Sequence, residues 1–294
     1  MERSDRFIPK EPEYSFDRVI IPQRTRDRIM EALNLINYRS KVFDEWGLRV
    51  IEPHPSSALN FYGKSGVGKS MAAEAVADML GKKILRVTYA DIESKYQGEG
   101  SKNVDAAFEA AERDNAVLFI DEADSLLSKR LSEVTSGADQ SVNALRSQIL
   151  TNLDKFEGIV IFATNLVSSY DNAFLTRLIS VEFENPDIET RKKIWVVHLR
   201  PAGESEMNIP LADDINISEL AEKFEFCGRE IKRAVISACI NSVSGNHALV
   251  TQRMLINACE TIVSEGQNLS KATGSIVSED ALKGAVGRYI QKNA

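Results

Sequence analysis

Unbroken apolar runs alternate with stretches whose apolar residues recur every three or four positions. Ala116-Val117-Leu118-Phe119-Ile120 and Ile159-Val160-Ile161-Phe162-Ala163 contain no polar position, and each ends at polar residues, Asp121 after one and Thr164-Asn165 after the other. Runs this short and continuous predict strands buried on both faces of a parallel sheet. Ala58-Leu59-Asn60-Phe61-Tyr62 and Lys83-Ile84-Leu85-Arg86-Val87 predict two more strands, and Ser180-Val181-Glu182-Phe183 a fifth. Between them, Ala72, Ala75, Val76, Met79 and Leu80 fall on one helical face, as do Val104, Ala107, Phe108 and Ala111. The alternation predicts an α/β fold of βαβ units with helices on both faces of the sheet.

After Asn185-Pro186-Asp187 the strand pattern stops. Ile231, Ala234, Val235 and Ala238 form one helical stripe, Leu255, Ala258, Cys259 and Ile262 a second, and Leu282, Ala285, Val286 and Tyr289 a third. The expected organisation is an N-terminal extension over 1–15, an α/β domain over 16–186 and a small all-helical domain over 187–294. Residues 200–205 and 266–278 have loop composition.

Composition changes this picture little. With 36 Lys+Arg against 43 Asp+Glu the net charge is −7, which argues against general affinity for nucleic acid. A hydrophobic fraction of 43% excludes a disordered chain. No apolar run approaches the ~18 residues that span a bilayer, and Met1-Glu2-Arg3-Ser4-Asp5 precedes no apolar segment, so a cytoplasmic protein is expected. Cys227, Cys239 and Cys259 lack any C-x-x-C pairing and read as small core residues; His54, His198 and His247 lack metal-ligand spacing.

Candidate chemistry begins at Gly63-Lys64-Ser65-Gly66-Val67-Gly68-Lys69-Ser70, which fits G-x-x-x-x-G-K-[ST] between a predicted strand and a predicted helix. Glycines let the backbone turn its N–H groups onto phosphate, and the following helix start adds positive partial charge. Lys69 is expected at the β and γ phosphates, and Ser70 as a Mg²⁺ ligand. Asp121 and Glu122 follow a buried strand, where ligands of open α/β sheets bind. Asp121 is expected to hold Mg²⁺, and Glu122 to orient and polarise the attacking water, so hydrolysis is expected rather than passive binding. Thr164-Asn165 arrives at the same sheet edge; alone, Asn165 reads as the start of a turn.

Together these residues resemble the AAA+ ATPases, over about Phe16 to Cys239. The resemblance makes the phosphate loop, the Asp121-Glu122 strand and Asn165 that family's Walker A, Walker B and sensor 1. It implies a five-stranded parallel sheet, a helical lid and a hexameric homo-oligomer with ATP between subunits. Phe16-Asp17-Arg18-Val19-Ile20-Ile21-Pro22 resembles the segment bordering adenine, which brings in Val19 and Ile20. Asp171-Asn172-Ala173-Phe174-Leu175-Thr176-Arg177-Leu178 resembles the arginine-finger region, with Arg177 where relatives often carry two arginines. Cys227-Gly228-Arg229-Glu230 resembles the start of the lid helix, with Arg229 at sensor 2; without the family, Arg229 reads as a first-turn surface residue.

Ser94-Lys95-Tyr96-Gln97-Gly98-Glu99-Gly100 resembles the pore loop of protein-remodelling members, which makes Lys95, Tyr96 and Gln97 the expected grip on a substrate polypeptide. Taken alone, Tyr96 reads as a half-buried core residue. A second such loop is expected over 128–138. The narrowest likeness is to the pachytene-checkpoint type AAA+ ATPases, on Phe16 to Pro22, Ile29-Met30-Glu31-Ala32-Leu33, Glu45-Trp46-Gly47, the Tyr96 loop and Gly228-Arg229. It implies a HORMA-domain protein as substrate, within a bacterial antiphage signalling system. A nucleic-acid motor or loader and a nucleotide-switched scaffold are the alternatives; the first has only the local charge of Arg24-Thr25-Arg26-Asp27-Arg28 and Arg191-Lys192-Lys193.

Overall fold

The computed structural model describes residues 3–52, 55, 58–94, 98–128, 137–165, 170–200 and 207–268. The chain divides into two compact units, 1–190 and 191–294, with the division inside the helix Ile188–Leu199.

In the first unit, helix α1 (Gln23–Asn37) precedes strand β1 (Ala58–Gly63) and helix α2 (Lys69–Met79). Then follow β2 (Ile84–Thr88), α3 (Tyr89–Ile92), α4 (Glu99–Arg113), β3 (Val117–Asp121), α5 (Asp124–Leu127) and α6 (Gly137–Lys155). β4 (Val160–Thr164), α7 (Asn172–Leu175), β5 (Leu178–Phe183) and the start of α8 (Ile188–Leu199) complete it. Among the described residues the strands form one parallel five-stranded sheet of order β2-β3-β4-β1-β5. All five predicted strands are present, and Val117 to Ile120 and Val160 to Thr164 are buried throughout. Covering both faces is what makes an all-apolar run favourable, since neither side of the pleat meets water.

α4 buries Val104, Ala107, Phe108 and Ala111 against the sheet, with Phe108 edge-on to Phe156 at 5.2 Å. α2 departs from its predicted face. Its buried apolar positions are small, Ala72, Ala73, Ala75, Val76 and Ala77, whereas Met79 is exposed and Leu80 only caps the helix. The left-handed Gly81 (φ 62°) turns the chain toward β2 before Met79 can reach the core.

Residues 3–13 pack onto the first unit. Lys10 exchanges two backbone hydrogen bonds with Ile84 on the outer side of β2 (2.9 and 2.8 Å), an antiparallel addition to an otherwise parallel sheet. Phe7 is buried in the core shared by α4 and the sheet. The 3-10 turn Arg3–Arg6 pairs with α4 through Arg3 and Glu99 at 2.5 Å, and Asp5 meets Arg113 at 3.5 Å.

In the second unit, α9 (Ile217–Lys223), α10 (Gly228–Ser244) and a helix α11 over 252–268 follow the remainder of α8. Both predicted stripes are buried: Ile231, Ala234, Val235 and Ala238 on α10, and Leu255, Ala258, Cys259 and Ile262 on α11. Cys227 is buried and Cys239 half-buried. Gly266, expected in a loop, lies inside α11; in an exposed last turn the weak helix propensity of glycine costs only ~1 kcal/mol, which the preceding turns carry. The stripe at 282–289 and residues 201–206 lie outside the described residues.

Candidate active site

The strand order sets the site. β4 lies between β3 and β1, so the residues leaving the carboxyl ends of these three strands become neighbours: Gly63 onward from β1, Asp121 from β3 and Asn165 from β4. β1 is followed in sequence by the distant β2 and β5 pairs on its other side, which opens the crevice expected where connections diverge.

Gly63, Gly66 and Gly68 have φ of 143°, 86° and 103°, so the loop wraps with backbone angles that other residues rarely adopt. At Gly63 space adds a second constraint, because a Cβ there would lie 2.3 Å from the Phe183 carbonyl oxygen. Gly68 caps α2 and brings Lys69 into its first turn. Ile21 lies beside Gly68, its Cγ2 3.5 Å from where a Cβ would stand, so the Phe16 to Pro22 segment borders the loop through Ile21. Val19 is buried and Ile20 half-buried, and Arg26 stacks over Phe16 at 5.2 Å. Lys64 and Ser65 are exposed at the loop tip, and Val67 anchors it in the core.

Lys69 is 9% exposed and donates from Nζ to the carbonyls of Gly63 (2.7 Å) and Lys64 (2.8 Å) and to Asn165 Oδ1 (3.0 Å). These hydrogen bonds replace the water that the ammonium loses on burial and fix it at the loop. Ser70 Oγ donates to Asp121 Oδ2 at 3.3 Å. One hydroxyl and one carboxylate are hard oxygen donors. They are too few for an all-protein cage and suit Mg²⁺, which keeps waters and takes phosphate oxygens. Among the described residues no cluster of three or more His, Cys, Asp or Glu offers another metal site.

Glu122 is exposed and left-handed (φ 55°), unusual for a residue other than glycine. Its backbone N–H donates to Asp121 Oδ1 at 3.0 Å, so the aspartate side chain fixes the turn that projects the glutamate off the sheet end. Such a conformation costs about 1–3 kcal/mol and persists where the surroundings enforce it.

Two residues not singled out from sequence complete the arrangement. Asp124 Oδ1 accepts from Thr164 Oγ1 (2.7 Å) and from the backbone N–H of Asn165 (2.8 Å), which fixes the end of β4 and hence Asn165. Its spacing, three residues after Asp121 at the opening of α5, was the available signal. Arg86 on β2 reaches Asp121 Oδ2 at 2.5 Å.

Arg177 stands apart from this group. It follows α7 and forms a two-pronged pair with Asp154 of α6 at 2.7 and 3.1 Å, and the carboxylate pushes the guanidinium above its usual range. Arg229 is in the second unit, exposed in the first turn of α10, beside a capping box in which the Cys227 N–H donates to Glu230 (2.8 Å). Lys95, Tyr96 and Gln97 lie outside the described residues, as does most of 128–138. Among the described residues no helix is long and apolar enough to cross a membrane.

Known proteins match the same region. A 26S proteasome regulatory subunit 4 homolog of Schizosaccharomyces pombe is 34% identical over 220 residues, 71% of this chain and 46% of that protein. One of Oryza sativa is 32% identical over 244 residues, 80% and 52% of the two chains. Proteasome-activating nucleotidase 2 of Halobacterium salinarum is 34% identical over 227 residues, 74% and 53%. The chain thus spans about half the length of these curated relatives. The profile of the ATPase family associated with various cellular activities (AAA) matches residues 59–186, which contain the loop, Asp121, Glu122, Asn165 and Arg177. Residues 59–186 of this chain are therefore an AAA ATPase domain.

Proposed function

We propose that this chain is a magnesium-dependent ATPase that uses hydrolysis to remodel a partner protein. The observation that carries the reading is the meeting of Lys69, Ser70, Asp121 and Asn165 in hydrogen-bonded pairs at three adjacent strand ends. The triphosphate lies along Gly63 to Ser70, facing the N–H groups at the start of α2 and the Lys69 ammonium, with Val19 and Ile20 against adenine. Ser70 and Asp121 would hold Mg²⁺, which would supply charge neutralisation to the phosphates. Glu122 draws a proton from water aligned with the γ-phosphorus; the new P–O bond forms as the bond to the bridging oxygen breaks, and ADP leaves with that electron pair. Asn165 contributes its neutral amide at the γ-phosphate or the water, held there by Asp124.

Assembly supplies the remaining cations. Arg177 serves a neighbour's site in a hexameric ring as an arginine finger, oriented by Asp154, and Arg229 acts from the helical lid as sensor 2. The relatives are a proteasome-activating nucleotidase and proteasome regulatory subunits, which supports a protein as the substrate, and Lys95, Tyr96 and Gln97 are the residues that grip it. The narrower partner, a HORMA-domain protein of an antiphage system, rests on the pachytene-checkpoint likeness alone.

Two measurements test the reading. Purified protein should release phosphate from ATP with Mg²⁺ and not with chelator; Mg²⁺-independent release, or none under any concentration or partner, overturns it. Glu122→Gln should retain ATP and hold its substrate, so proteins co-purifying with it in ATP, and absent in ADP, identify the partner. Capture of a HORMA-domain protein supports the narrower assignment, and capture of other proteins alone removes it.

A further inference from the structure

Arg86 is the residue whose placement the proposed mechanism leaves unused. It stands on the edge strand β2 opposite Phe119 of β3, one pleat repeat short of the Thr88–Asp121 pair. From there its guanidinium crosses the Phe119 ring at 5.7 Å from the centroid and ends on Asp121 Oδ2 at 2.5 Å. That diagonal reach between neighbouring strands suits a long side chain. The same Oδ2 accepts from Ser70 Oγ, and Oδ1 accepts from the Glu122 N–H. The carboxylate expected to face Mg²⁺ is thus engaged on both oxygens, and its acceptor oxygen nearest Ser70 is shared with a fixed positive charge. The Asp121 side chain is 15% exposed and that of Arg86 53%, so the pair is neither fully screened nor fully buried.

We infer that Arg86 is a positioning residue that sets the magnesium requirement of the nucleotide site by competing with the ion for Asp121 Oδ2. A guanidinium on that oxygen withdraws part of the negative charge the ion would use, and repels a dication placed between Ser70 and Asp121. In exchange it holds the carboxylate in one orientation, with Oδ1 on the Glu122 N–H, so the left-handed turn at Glu122 is kept while no ion is bound. The site then binds nucleotide productively only when free Mg²⁺ is high enough to draw Asp121 away from Arg86. The inference rests on the magnesium reading above.

The test is the free Mg²⁺ concentration at half-maximal binding of a fluorescent ADP analogue, with the metal buffered, on the full chain. Arg86→Gln should lower that midpoint by about three- to tenfold, the scale of removing one partly screened charge a few ångströms from a dication. Arg86→Lys, which restores the charge, should return it to within about twofold of wild type. Arg86→Met keeps an apolar stem across Phe119 and is the second neutral variant should Arg86→Gln fail to fold; it should lower the midpoint in the same way. A midpoint unchanged or raised in a folded neutral variant overturns the inference. Wild-type ADP binding that ignores Mg²⁺ altogether would instead sink the magnesium reading, so the two failures are separable.

Discussion

The strand ends around the phosphate loop and the helical unit over 191–294 are built by opposite means. The first gathers left-handed glycines at 63, 66 and 68, a left-handed glutamate and a nearly buried lysine within a few turns of chain. The second repeats apolar stripes on regular helices with ordinary caps, and its positive φ is confined, among the described residues, to Asn246 after α10. Regular packing tolerates change in small increments, while a strained, charged site depends on each neighbour holding the next. Substitutions at the strand ends should therefore give abrupt losses, and those in the helical unit graded ones.

The sharpest break is expected at Gly63. An alanine there combines a forbidden φ with a Cβ 2.3 Å from a backbone oxygen that cannot step aside. Gly63→Ala should cost about 3–5 kcal/mol and lower the melting temperature of the first unit by roughly 10 °C. Circular dichroism melts would measure this, and a loss under about 1 kcal/mol would contradict the packing described. Next in size, Lys69→Ala should weaken nucleotide affinity by about a hundredfold or more by removing a desolvated charged donor, read by equilibrium binding with labelled ATP. Glu122→Gln should leave affinity within about twofold and reduce turnover by about 10²–10³; normal turnover would assign water activation elsewhere.

Asp124→Ala sits below these. It strips the acceptor from a buried Thr164 hydroxyl and from the Asn165 N–H, so a stability loss of about 1–3 kcal/mol should accompany a roughly tenfold fall in turnover. If turnover fell without any destabilisation, Asp124 would act on the reaction directly and not through Asn165. The gentlest contrast lies in the helical unit. Burial pushes the Cys259 thiol from its ordinary 9.0 up to about 12. Unfolding frees it to ionise, so its contribution is complete below pH 9 and is lost as pH rises from there toward about 12, at up to ~1.4 kcal/mol per pH unit. Denaturant midpoints taken above pH 9 should fall less steeply for Cys259→Ala than for wild type.

What the sequence made legible divides along the same line. Unbroken apolar runs located β3 and β4 because a doubly covered strand has no other pattern, while β1, β2 and β5 were located from apolar runs interrupted by Asn60, Arg86 and Glu182; the loop Gly63 to Ser70 stood out because its pattern constrains several adjacent residues at once. Arg86 and Asp124 escaped notice because their roles depend on which strands become neighbours. The order β2-β3-β4-β1-β5 puts Arg86 beside Asp121, 35 positions away, and Asp124 beside Asn165, 41 away. Met79 misled because helical spacing records a face but not where the helix stops. The finger, lid and substrate-grip roles proposed for Arg177, Arg229 and Tyr96 rest on family likeness alone, since none carries a distinctive pattern of its own.

The antiparallel contact between Lys10 and Ile84 bears on how this protein can be shortened. A clone cut back to the recognisable ATPase segment, starting near Phe16, would remove Lys10 and leave the Ile84 main-chain N–H and C=O on the outermost strand without these partners. Exposed margins of that sort recruit further copies and precipitate. Fusion partners are thus safer placed ahead of Arg3 than in exchange for the residues that follow it.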